Sequence, residues 1–361
     1  MRVAFRADAS TLIGSGHIAR CLTLANALIS YKVESTFICR PHSGHLIEAI
    51  KKNGHRVLTL PNLVPGAKTA FTAESYEQWL GTSWQADALD TLSITAHDLF
   101  DWLIVDHYAL DAQWENATAR CYERLMVIDD LIDRAHVCDL FLNQNLGANT
   151  CDYQQLVPRE SQRLLGPQYA LLRPEFAANR QRSINRRLTT QLDRLLICFG
   201  GVDVSGATLA VLEQLDSVPI PAHTSITIIM GSQSPTLSQV KTLASNMQRN
   251  STVFVDVENM AHLLSESDLA IGSAGGMALE RCCLGLPSLI FIVAQNQKAG
   301  AEALKARGAA LVFDSIDEVP LLSQNSFLLD SSLTSLRSVG AKASTVCDGL
   351  GVARVLDKLL H

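Results

Sequence analysis

The residues best suited to chemistry lie in a short run that opens a helix, Gly14-Ser15-Gly16-His17 followed by Ile18. Glycines let a backbone approach a ligand closely, and a helix N-terminus offers unpaired N–H groups to an anion. A histidine at that place is suited to accept a proton near neutral pH. A second run, Val105-Asp106-His107-Tyr108, closes a short apolar stretch and puts an acid and a phenol at a strand end. Two further glycine loops follow strands later in the chain: Phe199-Gly200-Gly201-Val202-Asp203, and Gly272-Ser273-Ala274-Gly275-Gly276. Two loops of the phosphate-holding type in one half of a chain are more specific than either alone. Glu280, one turn beyond Gly276, is placed to accept hydrogen bonds from ribose hydroxyls. Asn296 and Gln297, after the next strand, can hold sugar hydroxyls or acetamido groups.

Each motif also has a plainer reading. Gly14-x-Gly16-x-x-Ala19 loosely fits a dinucleotide fingerprint, and Arg40 after the second strand would suit an NADP phosphate. The loop before Gly14 is long for such a site, however. The glycines could also serve only tight turns, with His17 as a helix cap and Tyr108 as a half-buried aromatic. Asp129-Asp130 and Asp133-Arg134 read as a loop cap with a salt bridge and stay outside the catalytic set. His42 and His45 stand three apart without a neighbouring ligand and are expected at the surface.

Such loops need strands and helices to aim them, and the chain supplies both in alternation. Short apolar runs fit strands at 3–7, 33–39, 56–60, 102–105, 125–128 and 140–142, then at 195–199, 226–230, 253–255, 269–271, 288–292 and 310–313. Helical patterns fall between them, clearest at 18–30, where Ile18, Cys21, Leu22, Ala25, Leu28 and Ile29 mark one face. A less regular helical region, 74–96, follows a Pro/Gly loop at 61–66. Strand–helix alternation of this kind predicts βαβ units and parallel sheets. Two doubly wound, Rossmann-like domains are expected, residues 1–178 and 179–361, binding ligand in a cleft between them. The stretch 164–192, with its Pro/Gly pairs and Arg-rich end, is the linker candidate, and 180–187 reads as an exposed basic connector. The closing helical stretch, 348–360, starts at a capping Asp348 and could pack back on the first domain.

With 361 residues the chain suits two domains, and 47% hydrophobic against 18% charged residues makes it globular. The net charge of −6 and the lack of a basic face argue against nucleic acid. No signal-peptide pattern opens the sequence, and no apolar stretch is long enough to span a bilayer, so a cytoplasmic protein without a membrane anchor is expected. Nine scattered cysteines without C-x-x-C spacing fit reduced thiols, with neither a disulfide framework nor a zinc site.

Several of these segments together resemble the UDP-sugar hydrolases of pseudaminic acid biosynthesis. They are Phe5-Arg6-Ala7-Asp8 with Ile13-Gly14-x-Gly16-His17, Val105-Asp106-His107-Tyr108, Val127-Ile128-Asp129-Asp130-Leu131 with Asp133-Arg134, and Asp139 with Asn143-Gln144-Asn145. They continue with Leu165-Gly166-Pro167, Tyr169-Ala170-Leu171-Leu172-Arg173 and Phe199-Gly200-Gly201-x-Asp203. The second-half loops, with Glu280, Gly285-x-Pro287 and Asn296-Gln297, also resemble the nucleotide half of GT-B glycosyltransferases that use UDP-N-acetylglucosamine. The resemblance implies a GT-B fold and hydrolysis of UDP-2,4-diacetamido-2,4,6-trideoxy-β-L-altropyranose at its anomeric carbon, with no metal and no cofactor. On that reading His17 is the general base, and Asp106 and Tyr108 position the sugar or water, unless Asp106 orients His17 instead. Gly14, Gly16, Gly200, Gly201, Gly275 and Gly276 line the ligand with their backbone, Glu280 holds ribose, and Asn296 and Gln297 hold the sugar. The region 74–97 finds no match. Three other functions stay open: a transferase passing a UDP-linked amino sugar to a hydroxyl acceptor, a nucleotide-sugar sensor without turnover, and an NADP oxidoreductase.

Overall fold

A computed structural model of the chain describes residues 1–62, 76–96, 98–188, 191–218, 220–324 and 334–361. These divide into two compact units, Met1–Leu171 with Val352–His361, and Leu172–Gly351. The first unit holds β1 (Arg2–Ala7), β2 (Glu34–Cys39), β3 (Arg56–Thr59), β4 (Phe100–Asp106), β5 (Tyr122–Ile128), β6 (Leu140–Asn143) and β7 (Gln162–Leu165). They form one sheet in the order β3-β2-β1-β4-β5-β6-β7, with every pair parallel. The second unit holds β8 (Arg194–Cys198), β9 (Ser225–Met230), β10 (Ser251–Val255), β11 (Leu269–Ser273), β12 (Ser288–Phe291) and β13 (Leu311–Phe313). Its order is β10-β9-β8-β11-β12-β13, again all parallel.

In both sheets the strand order reverses beside the first strand, between β1 and β4 and between β8 and β11. Loops leaving the carboxyl ends at such a switch point are splayed apart, and that crevice is where doubly wound sheets take ligands. The buried runs follow from burial on both faces: β1 and β4 read as near-continuous apolar stretches because helices cover each side. Helix Gly16–Ile29 buries Ile18, Cys21, Leu24, Ala25 and Leu28 against β1 and β2, which fixes the direction in which its first turn points. The last helix, Gly351–Leu360, buries Val355, Leu356 and Leu359 in the same core. Trp102 Nε1 on β4 donates to Leu359 O at 3.1 Å. Three such side chains stabilise the docking by roughly 1.5–3 kcal/mol each.

The structure differs from the sequence reading in a few elements. The stretch read as a linker carries the end of β7 and the helix Pro174–Arg186, and the unit boundary falls within it, ahead of residue 178. The basic run 180–187 is no exposed connector. Arg187 is buried, and its guanidinium collects the carbonyls of Leu264, Ser267 and Leu284, next to the C-terminal ends of two helices. Helix ends leave carbonyls unpaired, and a cation that reaches several of them satisfies those groups. Of the helical region 74–96, the described part forms Glu77–Leu80 and Trp84–Ile94, broken where Gly81 takes φ +71°. Residues 63–75 and 97, which include most of the Pro/Gly loop, lie outside the described residues.

Candidate active site

In the first unit the loop from Asp8 to Ser15 folds tightly back before helix Gly16–Ile29 begins. Ser10 O accepts from Gly14 N at 2.8 Å, and Ser10 Oγ accepts from Leu12 N and Ile13 N at 3.1 and 2.9 Å. Gly14 sits at φ +81°, a conformation that residues with a Cβ rarely adopt. Gly16 is exposed at the helix start, and His17 immediately follows it, only 8% exposed.

His17 meets Asp106 from the neighbouring strand: its Nδ1 lies 2.5 Å from Asp106 Oδ1. Asp106, fully buried at the end of β4, is also forked by Arg20, Nε to Oδ2 at 2.6 Å and Nη2 to Oδ1 at 2.7 Å. Burial alone pushes the Asp106 carboxyl up, but the Arg20 guanidinium and the His17 ring outweigh it and hold it well below the usual carboxylate range. An ionised carboxylate only accepts, so Asp106 Oδ1 takes its hydrogen bond from His17 Nδ1–H and leaves Nε2 as the ring nitrogen for a ligand. No described residue hydrogen-bonds that Nε2.

Arg20 continues to Asp130, Nη1 to Oδ2 at 2.7 Å, and the same oxygen accepts from Tyr108 OH at 2.8 Å. Burial and the Asp130 charge raise the Tyr108 phenol well above its ordinary value, so it stays a neutral donor. Its ring stands edge-on to His17 with centroids 4.7 Å apart, and Trp79 stacks on Tyr108 at 5.5 Å. His17, Asp106 and Tyr108 are thus one cluster. Sequence reading missed Arg20 and Trp79, and it set Asp130 aside with Asp129 as a loop cap. Arg20 had a signal, being the lone cation on the helix and one turn from His17. Asp129 does take the structural role read for the pair, holding His136 Nε2 at 3.1 Å and accepting from Leu131 N at 2.7 Å.

Behind this cluster lies a buried network of charge. Asp87 binds Arg6 and Arg40, each at 2.8 Å, and Arg40 also reaches Asp90 at 2.9 Å. With its guanidinium so engaged, Arg40 does not stand open for an NADP phosphate. His45 is exposed as expected, but His42 is tucked beside Asp8, its Nε2 3.6 Å from Asp8 Oδ2. Burial lowers the affinity of His107 for a second proton, and its Nδ1 accepts from Ala109 N at 3.1 Å, leaving Nε2–H toward Asp8.

In the second unit Gly200 and Gly201 follow β8, Gly275 and Gly276 follow β11, and Asn296 and Gln297 follow β12, so all six occupy the carboxyl ends of three neighbouring strands. Gln297 Oε1 accepts from Ala274 N at 3.3 Å and from Val293 N at 3.4 Å, tying two of these loops together. Asn296 stands half-buried beside it. A Cβ on Gly275 would meet nothing nearer than Gln297 Nε2 at 3.9 Å, and one on Gly276 nothing within 4 Å. Gly272 and Gly231 are different: a Cβ there would come within 2.3 Å of Cys198 O and 2.1 Å of Gly201 O. Those two glycines serve packing; Gly275 and Gly276 do not. Glu280 lies on helix Gly276–Cys283, and burial pushes its carboxyl up to about 7 against the pull of Arg173.

Among the described residues no three or more His, Cys, Asp or Glu side chains group as a metal site, and no helix is long and apolar enough to cross a membrane. The architecture is the GT-B fold. MurG of Acinetobacter baumannii matches over 99% of both chains with a TM-score of 0.62 at 15% identity. UGT2 of Phytolacca americana, solved with UDP-2-fluoro-glucose and pterostilbene, matches over 99% of this chain and 98% of its own, with a TM-score of 0.68 at 10% identity. By sequence the chain is similar to the UDP-2,4-diacetamido-2,4,6-trideoxy-β-L-altropyranose hydrolase of Campylobacter jejuni. The two are 28% identical over 309 residues, 85% of this chain and 97% of the relative. No protein-family model matches the sequence.

Proposed function

We propose that this protein hydrolyses UDP-2,4-diacetamido-2,4,6-trideoxy-β-L-altropyranose to UDP and the free sugar, without a metal and without a cofactor. The observation that carries the reading is His17 held by an ionised Asp106 with its Nε2 free of protein partners. An imidazole so fixed is a general base. In this reading His17 Nε2 takes a proton from water, the water oxygen bonds to the anomeric carbon, and the carbon–oxygen bond to UDP breaks with its electron pair leaving on UDP. Tyr108, a neutral donor anchored on Asp130, positions the sugar or the water. Asp106 is a positioning residue: it sets the tautomer and the aim of His17.

The second unit's loops carry the groups suited to UDP. Backbone N–H groups around Gly201, Gly275 and Gly276 stabilise charge on UDP, which departs without a dedicated acid. Glu280 accepts from ribose hydroxyls, and Asn296 and Gln297 bind the sugar's polar groups. A GT-B fold also suits transfer to a hydroxyl acceptor, and the similarity to MurG keeps that second reading in view. The deciding test is to incubate purified protein with the UDP-sugar and EDTA and follow UDP and free sugar by NMR. Release in water alone supports the hydrolase. Tight UDP binding with no release contradicts it and favours a transferase.

A further inference from the structure

Around Tyr108, two buried polar atoms have no hydrogen-bond partner among the described residues. Asp130, its side chain only 9% exposed, uses Oδ2 for both Arg20 and Tyr108, while its Oδ1 is buried and accepts nothing. Arg134, 13% exposed, spends Nε and Nη2 on Asp133 at 2.8 and 3.1 Å, while its Nη1 is buried and donates to nothing. Buried charged groups left half-satisfied are costly, and in native proteins such an atom calls for a partner. The two groups flank one aromatic ring. Asp130 binds the Tyr108 hydroxyl, and the Arg134 guanidinium carbon lies 6.0 Å from the Tyr108 ring centre and 5.8 Å from that of Tyr76.

Tyr76 and Trp79 extend the ring into a wall. Tyr76 stands 4.8 Å from Trp79 and 5.2 Å from Tyr108, and Trp79 lies 6.0 Å from His17. One open acceptor, one open donor and an apolar face are the complement of a secondary amide. Its N–H suits a carboxylate oxygen, its C=O suits a guanidinium N–H, and its methyl suits the rings. A hydroxyl has one oxygen for both bonds, where the amide offers a nitrogen and an oxygen, and it brings no methyl to the rings.

We propose that Asp130 Oδ1, Arg134 Nη1 and the rings of Tyr76, Trp79 and Tyr108 form a subsite for an acetamido substituent, and that Arg134 and Trp79 thereby select N-acetylated sugars over hydroxylated ones. The inference rests on the reading that this unit binds the sugar, yet it concerns binding and does not need turnover. The subsite lies beside the base, so an acetamido group held there fixes the ring relative to His17. Trp79 belongs to the region 74–97, which finds no match in the family resemblance.

The test uses the full chain and two neutral free sugars: 2,4-diacetamido-2,4,6-trideoxyaltropyranose, and the same 6-deoxy ring with hydroxyls in place of both acetamido groups. Dissociation constants are measured by saturation-transfer NMR titration for wild type, Arg134→Met, Arg134→Lys and Trp79→Leu, with melting curves confirming that each is folded. Wild type should bind the diacetamido sugar at least about 10-fold more tightly, as expected for hydrogen bonds to charged groups. Arg134→Met should lose roughly that factor for the diacetamido sugar and stay within about 2-fold for the hydroxylated one, and Arg134→Lys should recover part of it. Trp79→Leu should weaken the acetamido sugar selectively. Equal wild-type affinity for the two sugars, or equal losses on both in Arg134→Met, overturns the subsite. If the selectivity holds but the UDP-sugar is not hydrolysed, the subsite stands and the hydrolase reading fails. The converse pattern leaves the hydrolase standing without the subsite.

Discussion

Arg20 forks both oxygens of Asp106, at 2.6 and 2.7 Å, and with its third nitrogen reaches Asp130 at 2.7 Å. One guanidinium therefore joins the carboxylate that orients His17 to the carboxylate that anchors Tyr108. Removing it would leave two buried carboxylates without their main counter-charge, which typically costs 3–5 kcal/mol.

The conservative change separates geometry from charge. Arg20→Lys keeps one positive charge but cannot fork, and an ammonium is a point charge where a planar pair of bonds is needed. Turnover should fall by about 10-fold or more with UDP affinity unchanged, and the acid limb of the pH–rate profile should move to higher pH as Asp106 loses part of what holds its carboxyl down. Steady-state kinetics carried down to the lowest pH at which the protein stays folded check this. A profile that is merely scaled down, with no displaced limb, would assign Arg20 a purely structural role.

Much of the scaffold was legible in the sequence. The twelve apolar runs read as strands are all strands, and the central ones stood out because a strand buried on both faces is apolar along its length. The missing one, β7, reads Gln162-Arg163-Leu164-Leu165, too short and half-polar to stand out at the sheet's edge. His17, Asp106 and Tyr108, which the structure brings together, were singled out because each stands near the end of a strand or the start of a helix. Arg20 and Asp130 were not, because their importance lies in contacts across 86 and 110 positions of chain. Trp79 gave no motif at all. The run 180–187 misled in the other direction: basic residues normally seek water, but here Arg187 is drawn inside by unpaired helix carbonyls.

The glycines after β11 offer a clean separation of ligand binding from packing. Gly275→Ala adds a methyl that meets nothing nearer than 3.9 Å, in a backbone conformation that alanine accepts. Melting temperature should be unchanged, while UDP affinity by calorimetry should fall by about 10-fold, because the methyl displaces phosphate from the backbone N–H groups. Gly231→Ala, whose methyl would meet Gly201 O at 2.1 Å, should instead lower the melting temperature. Unaltered UDP binding in Gly275→Ala would remove that loop from the nucleotide site.

If Glu280 holds ribose as proposed, UDP binding should depend on pH. Burial holds its carboxyl up to about 7, so it is protonated below that value and ionised above it. An ionised carboxylate is the stronger acceptor for ribose hydroxyls, and affinity should rise by about 10-fold as pH increases from 6 to 8. Glu280→Gln should show only the dependence that UDP's own phosphate contributes. Identical pH curves for the two proteins would argue against a ribose contact.

His136 bears on stability. Burial pulls its pKa down, but hydrogen bonds to Asp129 and Glu115 outweigh this and raise it to about 9. A group raised in the folded state contributes stability that is fully present below its unfolded value, near 6.5, and is lost as pH rises through the folded value. Relative to His136→Gln, wild type should therefore lose on the order of 2 kcal/mol of unfolding free energy between pH 6.5 and pH 9. Denaturant titrations at several pH values measure it, and parallel curves for the two proteins would contradict it.

The central claim is that water activated by His17 attacks the anomeric carbon. It is tested most directly by running the reaction in ¹⁸O-labelled water with wild type and His17→Asn, and reading the label by mass spectrometry. The account predicts label in the sugar's anomeric hydroxyl and none in UDP, and a rate about 10²–10⁴-fold lower in His17→Asn with UDP affinity nearly intact. Label in the β-phosphate of UDP, or full turnover without His17, would contradict it.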